Sequence, residues 1–359
     1  MNIEEKKFLN ALNIAFFSNT NAVLKMVNFF GSPEKAFNAT KKDLKRMGFK
    51  IETISNFFKK RQEINIEKEW QKLKRENIKT ITKEEKEYPP LLKEIVNPPL
   101  LLYIKGEIFS DEKYFACVGT RWPSDYGKMA TSDIVGDLTN EGFVIVSGMA
   151  RGIDTLSHKA ALEREKRTIA IIGSGLDIIF PPENKKLSKK IEKSGAIISE
   201  FPLSTPPMKY NFPQRNRIIA GMSIGILVIE AKEKSGALIT ANLAIEEGRE
   251  VFAVPGSIYS KNSSGCNKLI KQGANLTTSI EDVLLQFNLE KSLKSKEDIK
   301  GKTKEENLIL NVLKDSPKSI NEIIKHSKLS TEIVNSSLIL LEIERKIKRS
   351  GEKYYINKK

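Results

Sequence analysis

The sequence predicts an α/β protein: a doubly wound, mostly parallel sheet with a small helical region before it and a winged-helix region after it. Three observations carry this. From about residue 85 to 287, short β-rich runs alternate with helical segments, the alternation that builds such sheets. Most of those runs are continuously apolar rather than alternating, as expected of parallel strands covered on both faces. The distinctive glycines and polar residues collect just past the ends of the runs, where open α/β sheets bind ligands.

Taken in chain order, residues 1–80 read as helices with one apolar face: Phe8, Leu9, Leu12, Ile14, Ala15 and Phe16, then Val23, Leu24, Val27 and Phe30. Gly31-Ser32-Pro33 interrupts them, with Ser32 placed as an N-cap and Pro33 at the first helical position. Gly48 interrupts them again, so the region has the small helix, glycine turn, small helix pattern of helix-hairpin-helix modules. The 85–287 region supplies six strands: Tyr114–Val118, Phe143–Ser147, Thr168–Ile172, Ala196–Ser199, Ile224–Glu230 and Glu250–Val254. Between them lie helical segments at Gly127–Asn140, Thr155–Glu165, Asn184–Lys193 and Leu238–Gly248. Residues 288–304, rich in Lys, Ser and Glu, read as a linker. In 305–359, helices at Glu305–Lys314, Ile320–His326 and Thr331–Lys346 precede a hairpin turning at Ser350-Gly351, which together describe a winged helix.

The 359 residues carry a net charge of +15. That excess creates a long-range field suited to nucleic acid or an acidic membrane surface, and it is equally the mark of a lysine-rich solvated exterior. Only Cys117 and Cys266 are present, with two histidines, too few for a dedicated metal site. No apolar signal core follows the first residues and no run reaches bilayer-spanning length, so the chain reads as cytoplasmic, with no membrane partner.

The richest stretch is Phe212-Pro213-Gln214-Arg215-Asn216-Arg217-Ile218-Ile219-Ala220-Gly221, read as a turn opening onto a helix. Arginines bring a planar fork for phosphate, the ring a stacking face, and a helix start unpaired N–H groups. Other strand-end loops are Gly119-Thr120-Arg121-Trp122, Ser147-Gly148-Met149-Ala150-Arg151-Gly152-Ile153-Asp154, Gly173-Ser174-Gly175 and Ser235-Gly236-Ala237. Single glycines here also serve tight turns. Trp122 fits a lid or a packing residue, Asp154 a cap or a partner of Arg151, and Glu200 and Glu230 partners for arginines. Arg121, Arg151, Arg215 and Arg217 gathered on one edge would repel one another if unpaired, and so ask for an anionic ligand. The pattern is that of a polyanion-binding surface; no nucleophile or metal ligand set accompanies it.

Familiar nucleotide enzymes are disfavoured. Gly119 and Gly127-Lys128-Met129 have neither the spacing nor the hydroxyl of a Walker A loop, and Gly173-Ser174-Gly175 has Ile178 where a dinucleotide fingerprint needs its third glycine.

Across roughly 85–285 these loops, with Pro181-Pro182-Glu183-Asn184, Glu200-Phe201-Pro202, Val254-Pro255-Gly256-Ser257 and Gly265-Cys266-Asn267-Lys268-Leu269-Ile270, resemble the DNA-processing protein A (DprA/Smf) family in order and spacing. The resemblance implies an extended Rossmann-like domain that binds single-stranded DNA, forms a homodimer and delivers RecA onto that DNA in natural transformation. It brings no enzymatic activity and no cofactor. It places Arg121 and Arg151 in a phosphate pocket, Lys209 at a DNA-contacting lysine and Phe212 at a base-stacking aromatic. Arg215, Asn216 and Arg217 complete the surface, with Gly119, Ser147, Gly148 and Gly236 in the loops around it. The alternative is a nucleoside-monophosphate phosphoribohydrolase on a related fold, whose Pro-Gly-Gly-x-Gly-Thr run is missing from Val254-Pro255-Gly256-Ser257-Ile258-Tyr259.

Overall fold

All six strands read from the sequence form, and three more join them in one nine-stranded sheet. The computed structural model describes residues 1–17, 19–290, 301–314, 316–344 and 346–357, which divide into two compact units, 1–289 and 290–359. The strands of the first are β1 (Lys79–Thr82), β2 (Leu101–Gly106), β3 (Lys113–Val118), β4 (Phe143–Ser147), β5 (Thr168–Ile171), β6 (Ala196–Ser199), β7 (Gly225–Val228), β8 (Glu250–Ala253) and β9 (Asn275–Leu276). Their spatial order is β1-β2-β6-β5-β4-β3-β7-β8-β9. β3 to β9 run parallel, while β1 and β2 are antiparallel to their neighbours. The chain winds outward from β3 to β6, then returns to lay β7 against β3, so the topological switch point lies between β3 and β7.

Period-two alternation decides what each face meets. Tyr114, Ala116 and Val118 of β3 join Val144, Val146, Ile169, Ile171, Ile226 and Val228 under the Asn211–Met222 and Gly236–Glu246 helices. Phe115 and Cys117 point the other way, with Phe143, Ile145, Leu227 and Phe252, beneath the helical stretch 125–140 and the Ile153–Glu163 and Ile280–Gln286 helices. Burial on both faces is why these strands read as unbroken apolar runs.

The helices before residue 80 do not close a core of their own. Leu9, Leu12, Met26, Phe57 and Trp70 share one cluster with Leu101, Tyr103, Ala170, Ile172 and Ile197 of the sheet. Buried polar bonds stitch the two together: Tyr103 Oη donates to Asn10 Oδ1 (2.7 Å), and Asn13 Nδ2 donates to the Glu200 carbonyl (2.8 Å). The breaks read at Gly31 and Gly48 are left-handed turns at φ +75° and +76°, and Ser32 caps the next helix by accepting from Lys35 N.

The second unit has helices Lys304–Leu313, Ile320–Ser327 and Thr331–Ile343 and a three-stranded sheet of Lys318–Ser319, Ile347–Ser350 and Lys353–Ile356. Ile309, Leu313, Ile323, Val334, Leu338, Leu341, Ile347 and Tyr354 form its separate core. This is the winged helix read from the sequence. Of the expected linker, residues 291–300 lie outside the described residues.

Candidate nucleic-acid interface

The carboxyl ends of β3, β4 and β5 carry most of the residues singled out above, held by backbone bonds between loops. Thr120 N donates to the Glu230 carbonyl past β7 (2.6 Å), and Ile153 N donates to the Thr120 carbonyl (3.1 Å). Ser147 donates to the Cys117 carbonyl (2.6 Å), fixing the end of β4 to β3. Gly152 sits at φ +76°, and a Cβ there would meet the Arg121 backbone at 2.7 Å. Only glycine lets the two loops approach this closely.

The arginine-rich stretch is helical from Asn211, not a turn. Pro213 falls in the first turn, where its missing N–H has no intrahelical partner to lose. Arg215 points inward: it is buried, and its guanidinium Nη1 donates to the Gly148 carbonyl (2.8 Å) and to the carbonyl of Ile171. It thereby bridges the ends of β4 and β5. Buried Asp154 accepts from the amides of Gly148 (3.2 Å) and Ala150 (3.3 Å) beside it. Burial pushes the Asp154 carboxyl above its ordinary value, against the opposing pull of Arg215, and lowers Arg215 to about 10. At neutral pH Arg215 is still charged. Its work is internal.

Arg217 also faces inward, toward the N-terminal helices. It pairs with buried Glu200, whose carboxylate accepts from Thr20 Oγ1 as well (2.9 Å). Burial raises the Glu200 carboxyl, with Arg217 opposing. Arg151 is half exposed and paired with Glu183; that hydrogen bond raises the arginine and lowers the glutamate. Asn216 accepts from Arg215 Nε (3.1 Å). The expected quartet of unpaired arginines thus resolves into two internal and two exposed groups. Only exposed Arg121 lacks a hydrogen bond or ion pair among the described residues.

Lys209 is exposed just before the helix. Phe212 is half-buried, its ring 5.9 Å from that of Phe180 and in contact with the Gly173 loop. Gly119 packs against Ile153 and the Glu230 carbonyl, while Gly236 lies apart, opening the helix past β7. Among the described residues Glu230 pairs with no arginine; it accepts from Ser124 N (2.9 Å) and Oγ (2.6 Å) at a helix start. Trp122 is 74% exposed, so it is not a packing residue.

Sequence reasoning passed over Phe180 and the lysines of the Lys185–Ser194 helix. Phe180 is 40% exposed and its ring lies tilted beside that of Phe212. Lys185, Lys186, Lys189 and Lys190 are all exposed, directly following the Glu183 that pairs with Arg151. The signal was present as paired lysines at helical spacing, and was absorbed into the solvated surface.

His158 is buried, bonded through Nδ1 to Thr168 Oγ1 (2.7 Å), and burial lowers it to about 3. Burial likewise pushes the Cys117 thiol up. Among the described residues no group of three or more His, Cys, Asp or Glu is placed to hold a metal ion, and no helix is long and apolar enough to cross a membrane.

Fold and site define an extended Rossmann-like protein with a basic, aromatic-flanked strand edge and an appended winged helix. Residues 79–288 match the DNA recombination-mediator protein A family, and 294–353 match the DprA winged helix domain. The chain belongs to the DNA recombination-mediator protein A family. It is 45% identical over 210 residues to DNA processing protein DprA of Bacillus subtilis, covering 58% of this chain and 71% of that one. The crystal structure of DprA from Streptococcus pneumoniae superposes with a TM-score of 0.67 at 36% identity, over 77% of this chain and 95% of that one. The structure of DNA processing protein A from Helicobacter pylori, described for its single-stranded DNA binding mode, superposes with a TM-score of 0.53 at 29% identity, over 59% of this chain and 97% of that one.

Proposed function

We propose that this chain binds single-stranded DNA along the β3–β5 edge and, as a homodimer, loads RecA onto it during natural transformation or homologous recombination. The observation that carries the DNA-binding step is Arg121: an exposed, unpaired guanidinium held on a glycine-tightened loop, beside buried Arg215 and Asp154, whose hydrogen bonds to the Gly148 carbonyl and amide fix the loops around it. Exposed Lys209 supplies a second phosphate contact, and Phe212 with Phe180 a stacking platform. A cationic track with aromatic faces suits exposed bases better than a duplex groove. Dimerisation and RecA loading rest on the family resemblance alone. No enzymatic activity is proposed, and release of ribose phosphate from AMP by the pure protein would overturn that.

The test is a titration of labelled oligo-dT and of duplex of equal length at two salt concentrations. Single strand should bind more tightly. Arg121→Ala and Lys209→Ala should each make the slope of log affinity against log salt shallower by about 0.7, with thermal melting unchanged. Equal or tighter binding of blunt duplex, or unchanged slopes, would reject the assignment.

A further inference from the structure

The Asn211–Met222 helix separates two different surfaces. Phe212 and Arg215 turn toward the strand ends, while Tyr210, Gln214 and Arg217, at i, i+4 and i+7, share another face. That face borders a cleft of about 620 Å³ that also takes in Phe17 and Asn19, which lie between the first two N-terminal helices, and Asn97. The volume falls within the range of small-ligand sites, about 300–1,000 Å³.

The lining is uncommon for a bare surface crevice. Tyr210 is 66% exposed and Phe17 64% exposed, so two large aromatic faces stand open to solvent at its walls. Phe17 holds φ +51°, a left-handed conformation that bulky side chains seldom adopt. Asn97 makes no hydrogen bond among the described residues. Arg217 gives Nη2 to Glu200 and Thr20, while its Nη1 is buried without a partner. Aromatic faces joined to amide groups, which both donate and accept, match an unstacked base: flat, with donors and acceptors along its edge. Lys209 leads directly into Tyr210, connecting this cleft to the strand-end surface through adjacent residues.

We infer that this cleft receives a nucleobase of the bound single strand, so that the N-terminal helices take a direct part in holding DNA. The inference rests on the single-strand reading above. A base leaving the β3–β5 edge passes Lys209 and inserts against Tyr210 and Phe17, with the Asn97 amide offered to its edge. Because amides serve either polarity of hydrogen bond, the site accepts any base.

The experiment compares full-length wild type with Tyr210→Ala and Phe17→Ala, using oligo-dT and an abasic strand of the same length, with melting curves on every preparation. On oligo-dT, Tyr210→Ala should weaken binding about tenfold, within the range for one lost base stack, without altering the salt slope or the melting temperature. On the abasic strand the same substitution should change nothing. If Phe17→Ala melts early, Tyr210→Ala decides alone. Equal loss on the abasic strand would mean that Tyr210 serves the backbone, and would overturn the base assignment. Unchanged oligo-dT affinity with wild type still binding would sink the cleft and leave the single-strand reading standing. If wild type binds neither strand, both fail together. Thymidine monophosphate bound in the cleft while Tyr210→Ala leaves oligo-dT affinity unaltered would assign it to a free nucleotide and overturn the inference.

Discussion

Replacing Arg215 by methionine separates an internal role from a DNA-contacting one. Methionine follows much of the aliphatic course of arginine, so the perturbation removes charge and donors more than volume. The carbonyls of Gly148 and Ile171 lose their donor, and buried Asp154 loses its counter-charge. Leaving two buried carbonyls without their charged donor costs about 2–6 kcal/mol; for a unit of this size that lowers the melting temperature by roughly 4–24 °C. A pH signature accompanies the loss. With Arg215 gone, only two amides and the weaker pull of Arg121 oppose burial, so the folded-state pKa of Asp154 climbs further above its unfolded value of about 3.9. A folded state that binds a proton more tightly than the unfolded state loses stability as pH rises through that window. Urea unfolding should therefore show a larger deficit at pH 8 than at pH 5. A folded Arg215→Met protein within about 1 kcal/mol of wild type at both pH values, yet impaired on oligo-dT, would refute the internal assignment and return Arg215 to the DNA surface.

Two further expectations follow from the same edge. His158, held neutral by burial with its pKa lowered to about 3, binds its proton more readily once unfolded, so stability should fall as pH drops below about 6.5, by roughly 2 kcal/mol at pH 5; His158→Gln should flatten that part of the urea-unfolding profile. A Cβ at Gly148 would stand 2.6 Å from Arg215 Nη2 and 2.7 Å from Asp154 Oδ2, so Gly148→Ala should cost about 1–3 kcal/mol by overpacking, measured by the same unfolding assay.

The parallel strands were legible because burial on both faces leaves an unmistakable apolar run, as in Phe143-Val144-Ile145-Val146. Strand β2, Leu101–Gly106, escaped although its first four residues are buried, because it follows Pro98-Pro99 and belongs to no alternating helix–strand unit. Gly119, Ser147 and Gly148 fell at strand ends where the strand pattern put them. The direction of the arginines was not legible. Residues two apart on a helix point about 200° away from each other, so Arg215 and Arg217 could not share one surface once the helix began at Asn211. Reading the stretch as a turn that opens onto a helix made both look outward. The carboxylates that receive or neighbour them, Glu200 and Asp154, come from other strand ends, and such pairing is visible only after folding.

The shared core of the helices before residue 80 and the sheet has a consequence for how this architecture can be divided. A chain begun at Lys79 would bare Leu101, Tyr103, Ala170, Ile172 and Ile197 to water and strand the buried Tyr103 hydroxyl without Asn10. An apolar patch of that kind invites association, so the helical segment cannot be shed or exchanged as an independent cassette without some other covering for that sheet face. The winged helix, closed around Ile309, Ile323 and Leu338, obeys the opposite rule. Modularity in this protein is set by where apolar side chains are shared, and that line falls after Leu289, not before the sheet.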